Sequence, residues 1–125
     1  MRKVLIVDGS AGERELLRVL LEHEGYEVFE AADGKEAVAA ARETQPDLIM
    51  LNLGVSGQDG YTAVEEMRQD GLLKSRAIMA VIDGPRLLDR ERLVNAGFSG
   101  YIAKPVVLRT LREQLTQLAI LRQGA

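Results

Sequence analysis

Four polar residues of this sequence follow directly after short apolar runs, where the side chains of neighbouring strands can meet and react. Asp8 follows VLIV, Asn52 follows LIML, Asp83 follows AIMAVI and Lys104 follows YIA. A carboxylate in such a place can act as a nucleophile or as a hard ligand for a metal ion. Asn52 carries an amide, which can be neither the nucleophile nor a hard anionic ligand. Any chemistry at these residues would therefore have to proceed without a nucleophile at position 52.

Short apolar strands and amphipathic helices alternate along the chain and must position these residues. We predict five buried strands, at Val4–Val7, Glu27–Ala31, Leu48–Leu51, Ala77–Ile82 and Tyr101–Ala103. We predict helices from a Ser10–Glu13 capping box to Gly25, from an Asp33–Glu36 capping box to Pro46, after Gly60 to Gly71, from Pro85 to Gly97, and after Lys104-Pro105. Five alternations require a parallel sheet with helices on both faces, whose strand ends converge on one rim.

The size and composition of the chain exclude several classes of protein. A length of 125 residues predicts one domain, spanning residues 1–125. A net charge of −3 with interspersed acids and bases gives no reason to expect nucleic acid or an anionic membrane as a partner. The sequence has no cysteine, and no run approaches the ~20 apolar residues of a membrane span. We therefore expect a cytoplasmic protein without disulfides, thiol catalysis or a thiolate metal site.

Four segments carry a resemblance to a known family by their order and spacing. They read VLIVDGSAGERELLRVLLEHEGYEV, AADGKEAVAAARETQPDLIMLNL, DGY and NAGFSGYIAKP. Over essentially its whole length the chain resembles a CheY-like receiver domain of a response regulator. The resemblance implies an α/β fold with a doubly wound five-stranded parallel sheet, strand order 2-1-3-4-5, of the flavodoxin-like (βα)5 type. It also implies a role in two-component signal transduction or a phosphorelay.

The resemblance assigns roles to several positions of the rim. In such domains an aspartate after the third strand accepts a phosphoryl group, and together with two acids after the first strand it holds Mg²⁺. A threonine or serine after the fourth strand and a lysine after the fifth bind the phosphoryl oxygens, and an aromatic residue on the fifth strand changes rotamer. Asp8 matches the first acid, Lys104 matches the lysine before Pro105, and Tyr101 matches the switch aromatic.

Four positions depart from the pattern of the family. Gly9 stands at the second acid, Asn52 at the phosphoacceptor, Ile82 at the threonine or serine, and Asp83 at the usual small residue beside it. Phosphoryl transfer needs an anionic acceptor and a metal ion, and these replacements remove the acceptor and two of the three carboxylates that hold the metal. We therefore expect no catalytic residue, no cofactor and no resident metal, with only weak Mg²⁺ binding at Asp8.

A metal-free network is our hypothesis for the altered rim. The amide of Asn52 would donate to Asp8 and accept from Lys104, and Asp83 would offer Lys104 a second partner. The predicted function is that of an atypical, phosphorylation-independent receiver domain that acts through protein–protein interaction.

The fourth helix, fifth strand and fifth helix present a candidate partner face. An apolar centre with an arginine rim is typical of interfaces. The predicted face comprises Leu87, Leu88, Arg90, Tyr101 and Val107. We expect it to bind a signalling protein, which would be a kinase, an output domain or an effector, or a second copy of the chain.

Two alternative functions remain open from the sequence. The chain could be a phosphoaccepting receiver in which Asn52 is an engineered replacement of the acceptor aspartate, although Gly9 and Ile82 argue against this. It could also be a small nucleotide- or anion-binding α/β protein, because Gly9 to Gly12 follow a strand and open a helix. No nucleophile, base and orienting group can be assembled from the sequence, so we predict that the chain is not an enzyme.

Overall fold

Five strands and five helices alternate in the computed structural model, which describes residues 2–53, 58–84 and 89–124. The strands are β1 (Lys3–Val7), β2 (Glu27–Ala31), β3 (Leu48–Asn52), β4 (Ala77–Ile82) and β5 (Gly100–Ala103). The helices are α1 (Ala11–His23), α2 (Gly34–Thr44), α3 (Gln58–Gln69), α4 (Arg90–Ala96) and α5 (Leu108–Gly124). All strand pairs are parallel, in the order β2-β1-β3-β4-β5. The predicted fold class and strand order are confirmed.

The sheet separates two hydrophobic cores, because successive side chains of a strand point to opposite faces. Leu5, Ile49 and Ile78 belong to the core that is covered by α2, α3 and α4. Val4 and Met50 belong to the core on the other face, which is covered by α1 and α5. The central strands are therefore apolar throughout Val4–Val7, Leu48–Leu51 and Ala77–Ile82, which explains why they read as continuous runs in the sequence.

The helices begin where capping side chains satisfy their first backbone N–H groups. Ser10 accepts from the N–H of Glu13 at 3.3 Å, and Asp33 accepts from that of Glu36 at 2.8 Å. Asp89 caps α4 in the same way. No helix within the described ranges is long and apolar enough to cross a membrane.

The third helix begins earlier than predicted, and the predicted start of the fourth lies outside the described residues. The third helix was predicted to follow Gly60, but α3 begins at Gln58 and contains this glycine. Gly60 is buried because the helix packs closely on the end of β3: a Cβ at this position would lie 2.7 Å from the side chain of Leu51. The predicted start of the fourth helix at Pro85 lies outside the described residues, and α4 begins at Arg90.

Arg68, near the end of α3, fixes the turn between α4 and β5. Its guanidinium donates to the carbonyl oxygens of Gly97 at 2.8 Å, Lys74 at 3.0 Å and Arg76 at 2.6 Å, and to the hydroxyl of Ser99 at 3.2 Å. Burial lowers the pKa of Arg68. This half-buried arginine therefore serves as a donor to backbone carbonyls and positions the start of the strand that ends at the rim.

Candidate functional site

The parallel register brings the predicted site residues to one edge of the sheet. Val7 is paired with Leu51, so the residues that follow, Asp8 and Asn52, stand side by side where the chain order reverses. A reversal of this kind creates the crevice at which open α/β sheets bind ligands.

The register of the last two strands completes this edge. Ile82 is paired with Ala103, which places Asp83 beside Lys104 just beyond the strands. The four polar positions that follow apolar runs in the sequence therefore share one rim.

Lys104 lies among three carboxylates at this rim. Its Nζ atom is 3.4 Å from Oδ2 of Asp8 and 3.2 Å from Oδ1 of Asp83, and it also forms an ion pair with the carboxylate of Glu13. The side chains of Lys104 and Asp8 are only 17% and 3% exposed. We call these four residues the lysine cluster. Its formal charge is negative, since one ammonium faces three carboxylates.

The surrounding carboxylates determine the protonation of Lys104. Burial of the ammonium lowers its pKa, but the hydrogen bonds to Glu13 and Asp83 and the attraction of Asp8 outweigh this effect. The pKa of Lys104 is consequently raised above the ordinary value of 10.5, and the side chain is fully charged at neutral pH.

Asp8 is held by the backbone of the turn as well as by Lys104. Its Oδ1 atom accepts from the N–H of Ser10 at 2.9 Å, and its carbonyl oxygen accepts from Arg14 at 2.7 Å. Arg14 also binds Glu30 on β2, as does Arg18. The hydrogen bond from Arg18, followed by that from Arg14, lowers the pKa of Glu30 despite its partial burial. Asp8 therefore both caps a turn and pairs with a cation.

Glu13 is a site residue that the sequence analysis assigned only to a capping box. The predicted box is half formed: Ser10 accepts from the N–H of Glu13, but the N–H of Ser10 donates to Asp8 instead. The carboxylate of Glu13 turns to Lys104. The signal in the sequence was the position of Glu13: an acid in the first turn of a helix that starts at this rim can reach the lysine that follows the fifth strand.

The other predicted positions have different surroundings. Ile82 is 2% exposed and belongs to the core on the α2–α4 side, while Gly9 lies in the exposed turn after β1. Asn52 is half-buried at the end of β3. Its bridging role between Asp8 and Lys104 stays a prediction. The Lys104–Pro105 peptide bond is cis.

The described part of the predicted partner face contains Arg90, Tyr101 and Val107. The guanidinium of Arg90 lies 5.7 Å from the ring centroid of Tyr101, a cation–π contact that joins α4 to β5. Val107 is 49% exposed just before α5. Leu87 and Leu88 lie outside the described residues.

A match to a protein-family model shows the family to which the chain belongs. The model of the response regulator receiver domain matches residues 4–116. The chain belongs to this family. Receiver domains are modules of two-component signalling that interact with kinases and output domains, and they are typically not enzymes.

Two curated relatives show how the receiver domain is used in proteins of different length. PilH of Pseudomonas aeruginosa is 30% identical over 111 residues, which cover 89% of this chain and 92% of PilH. The transcriptional regulatory protein ResD of Bacillus subtilis is 38% identical over 112 residues, which cover 86% of this chain but 45% of ResD. The chain therefore spans less than half the length of ResD.

Solved receiver structures superpose closely on this chain. The chemotaxis protein CheY4 of Vibrio cholerae gives a TM-score of 0.85 at 30% identity, covering 94% of this chain and 98% of CheY4. The receiver domain of the sensor histidine kinase PA1611 from P. aeruginosa gives a TM-score of 0.82 at 28% identity, covering 93% and 95%. That structure has a magnesium ion coordinated in the active site cleft.

Replacement of Lys104 tests the energetic role of the lysine cluster. Lys104→Met leaves the buried carboxylate of Asp8 without its cation, so we expect the free energy of unfolding to fall by about 3 kcal/mol at pH 7. A raised pKa in the folded state means that the contribution of Lys104 is complete below pH 10.5 and is lost as the pH rises through the folded value. The deficit of the variant should therefore shrink above pH 10.5.

Urea denaturation between pH 7 and pH 11 measures this difference, with Lys35→Met as the control for loss of an exposed lysine. Equal stability of wild type and Lys104→Met at pH 7 would contradict the energetic role of the cluster.

Proposed function

We propose that this receiver domain signals in the cytoplasm without being phosphorylated, through direct contact with a partner protein. The observation that carries the proposal is the amide of Asn52 at the carboxyl end of β3. The resemblance to receiver domains puts the phosphoacceptor carboxylate at this position. The lone pair of an amide nitrogen is delocalised, and an amide oxygen carries no full charge, so neither atom attacks a phosphoryl group as a carboxylate does.

The donors around Asp8 also argue against the Mg²⁺ site that the family implies. Gly9 offers no side chain and Asn52 no charge, so one of three carboxylates remains. Both oxygens of that carboxylate are engaged, Oδ1 by the N–H of Ser10 and Oδ2 by Lys104. A metal ion would have to displace the ammonium and find most of its other ligands in water. These residues do not fit Mg²⁺.

The wider donor set agrees with a metal-free site. In the described ranges, no group of three or more His, Asp or Glu side chains is arranged to hold a metal ion. Lys104 instead occupies the space between the carboxylates of Asp8, Glu13 and Asp83. The cluster therefore supplies its own cation.

Ile82 supports the same proposal from the fourth strand. A phosphoryl group in a typical receiver is met by a hydroxyl at this position, whereas the Ile82 side chain is apolar and buried in the core on the α2–α4 side. Tyr101 packs against the same core and contacts Arg90, so its ring is held by packing and by a cation–π contact. The relay from the site to the surface thus lacks its hydroxyl.

The partner surface that we propose is the face of α4, β5 and the start of α5. It presents Arg90, the half-buried Tyr101 and the exposed Val107, a combination of arginine, aromatic and aliphatic groups that favours protein contacts. The partner would be a kinase, an output domain, an effector or a second copy of the chain.

Restoring the acceptor alone should not restore phosphorylation. Asn52→Asp supplies a nucleophile, but Gly9 still provides no metal ligand and Ile82 provides no hydroxyl to bind the phosphoryl group. We expect no Mg²⁺-dependent labelling of this variant by radioactive acetyl phosphate. A receiver domain that has all three carboxylates and the hydroxyl, labelled in parallel, controls for the reagent. Rapid Mg²⁺-dependent labelling of Asn52→Asp would refute this expectation, and labelling of the unmodified chain would refute the proposed function.

The partner face can be tested by site-specific photo-crosslinking. A photoreactive amino acid in place of Val107 should crosslink the partner in cells, whereas the same group in place of Leu72, which is 59% exposed after α3, should not. Val107→Glu should then abolish binding of the purified partner while the circular dichroism spectrum stays unchanged, because a charge would be buried at the contact. Unchanged binding by Val107→Glu would exclude this face, and Leu72→Glu is the matched control.

A further inference from the structure

The fourth helix has little apolar surface to hold it on the rest of the fold. It runs for seven residues, Arg90–Ala96, of which Leu93 is the buried one. An isolated helix of this length is not stable in water, so its position depends on tertiary contacts. This helix carries Arg90, whose guanidinium contacts Tyr101 on the proposed partner face. The contacts that hold α4 therefore set the geometry of that face.

Tyr61 of α3 contacts the chain on both sides of α4. The guanidinium carbon of Arg92, in the first turn of α4, lies 3.9 Å from the centroid of the Tyr61 ring. The ring of Phe98, just after α4, lies 5.9 Å from the same centroid at an interplanar angle of 85°, an edge-to-face contact. Tyr61 and Phe98 are both buried. We call Arg92, Tyr61 and Phe98 the α4 anchor.

The charge of Arg92 gives this anchor its strength. A guanidinium within about 6 Å of a ring centroid is attracted by the electrons of the ring face, and the attraction grows as the contact loses water. The Arg92–Tyr61 distance is well inside this limit and shorter than the 5.7 Å between Arg90 and Tyr101. A neutral side chain at position 92 could still cover the ring, but it would lack the electrostatic attraction.

The end of α4 is attached to the same helix as its start. Arg68 of α3 donates to the carbonyl oxygen of Gly97 at 2.8 Å. Tyr61 and Arg68 thus hold α4 on α3 at its two ends, through groups that are remote from the rim residues Asp8 and Lys104 in the sequence and do not contact them.

We propose that Arg92 and Tyr61 are positioning residues of the partner face, and that their contact holds α4 in one pose without any input from the rim. The inference rests on the proposed function, because a face that works without phosphorylation has to be formed at all times. The α4 anchor supplies this constraint from the side of α3, and Arg90 transmits it to Tyr101 on β5.

NMR relaxation dispersion, which detects exchange on the microsecond-to-millisecond timescale, tests the proposal on the unmodified chain and on Arg92→Met. Methionine keeps an extended apolar side chain and removes the charge. In the variant, the population of a second pose should rise about fivefold, the size of one cation–π contact. Exchange should appear at the amides of Leu93 and Gly97 and at the ring of Tyr101, which Arg92 does not contact.

Conservative variants separate positioning from a general loss of stability. Arg92→Lys keeps a cation and Tyr61→Phe keeps the ring face, so both should resemble the unmodified chain. Tyr61→Leu should resemble Arg92→Met, and the double variant should add little to either single one, because both changes remove the same contact. Arg109→Met, at an arginine whose side chain is 89% exposed on α5, controls for the loss of a positive charge.

Unchanged exchange in Arg92→Met, equal exchange in Arg92→Met and Arg92→Lys, or exchange that is confined to α4 and leaves Tyr101 unaffected would overturn the proposal. These measurements use neither Mg²⁺ nor a phosphoryl donor, so they concern the α4 anchor alone. Failure of the proposed function would appear separately, as labelling of the unmodified chain by acetyl phosphate.

Discussion

The ammonium of Lys104 joins four elements of the fold at one point. Asp8 follows β1, Glu13 lies in the first turn of α1, Asp83 follows β4, and Lys104 itself follows β5. Asp8 is almost fully buried, and an unpaired carboxylate at that depth would cost far more than an exposed ion pair contributes. The parallel register brings these strand ends together, and the charge of Lys104 then makes their proximity stable.

This arrangement changes what the rim can respond to under the proposed function. In receivers with a complete site, the carboxylates bind a metal ion and the acceptor aspartate receives a phosphoryl group. Here the lysine that the family shares lies among Asp8, Glu13 and Asp83, while Gly9 and Asn52 replace two of the three metal-binding carboxylates. The Tyr101 ring packs on the α2–α4 side and contacts Arg90. Position 82 has no hydroxyl whose movement could change the rotamer of this ring. Under the proposed function, surface contacts with a partner transmit the signal.

The sequence predicted the fold class and the convergence of polar strand ends, because apolar runs and register depend on local patterns. It did not predict the contact of Glu13 with Lys104, since the two residues are distant in the chain and a capping box was an adequate local explanation. The structural role of Arg68 was missed for a similar reason: most of its acceptors are backbone carbonyls, which cannot be recognised from residue types. The start of α3 was displaced because burial of Gly60 against Leu51 outweighed its poor helix propensity.

The proposed function requires that the rim around Asp8, Asn52 and Lys104 binds neither Mg²⁺ nor a phosphoryl group. NMR of the unmodified chain, titrated with millimolar Mg²⁺ and then with beryllofluoride, tests it directly. We predict no saturable shift of the Asp8, Asn52 and Lys104 amides, and no ¹⁹F signal of bound beryllofluoride. Saturable shifts at these amides together with a bound ¹⁹F signal would contradict the account.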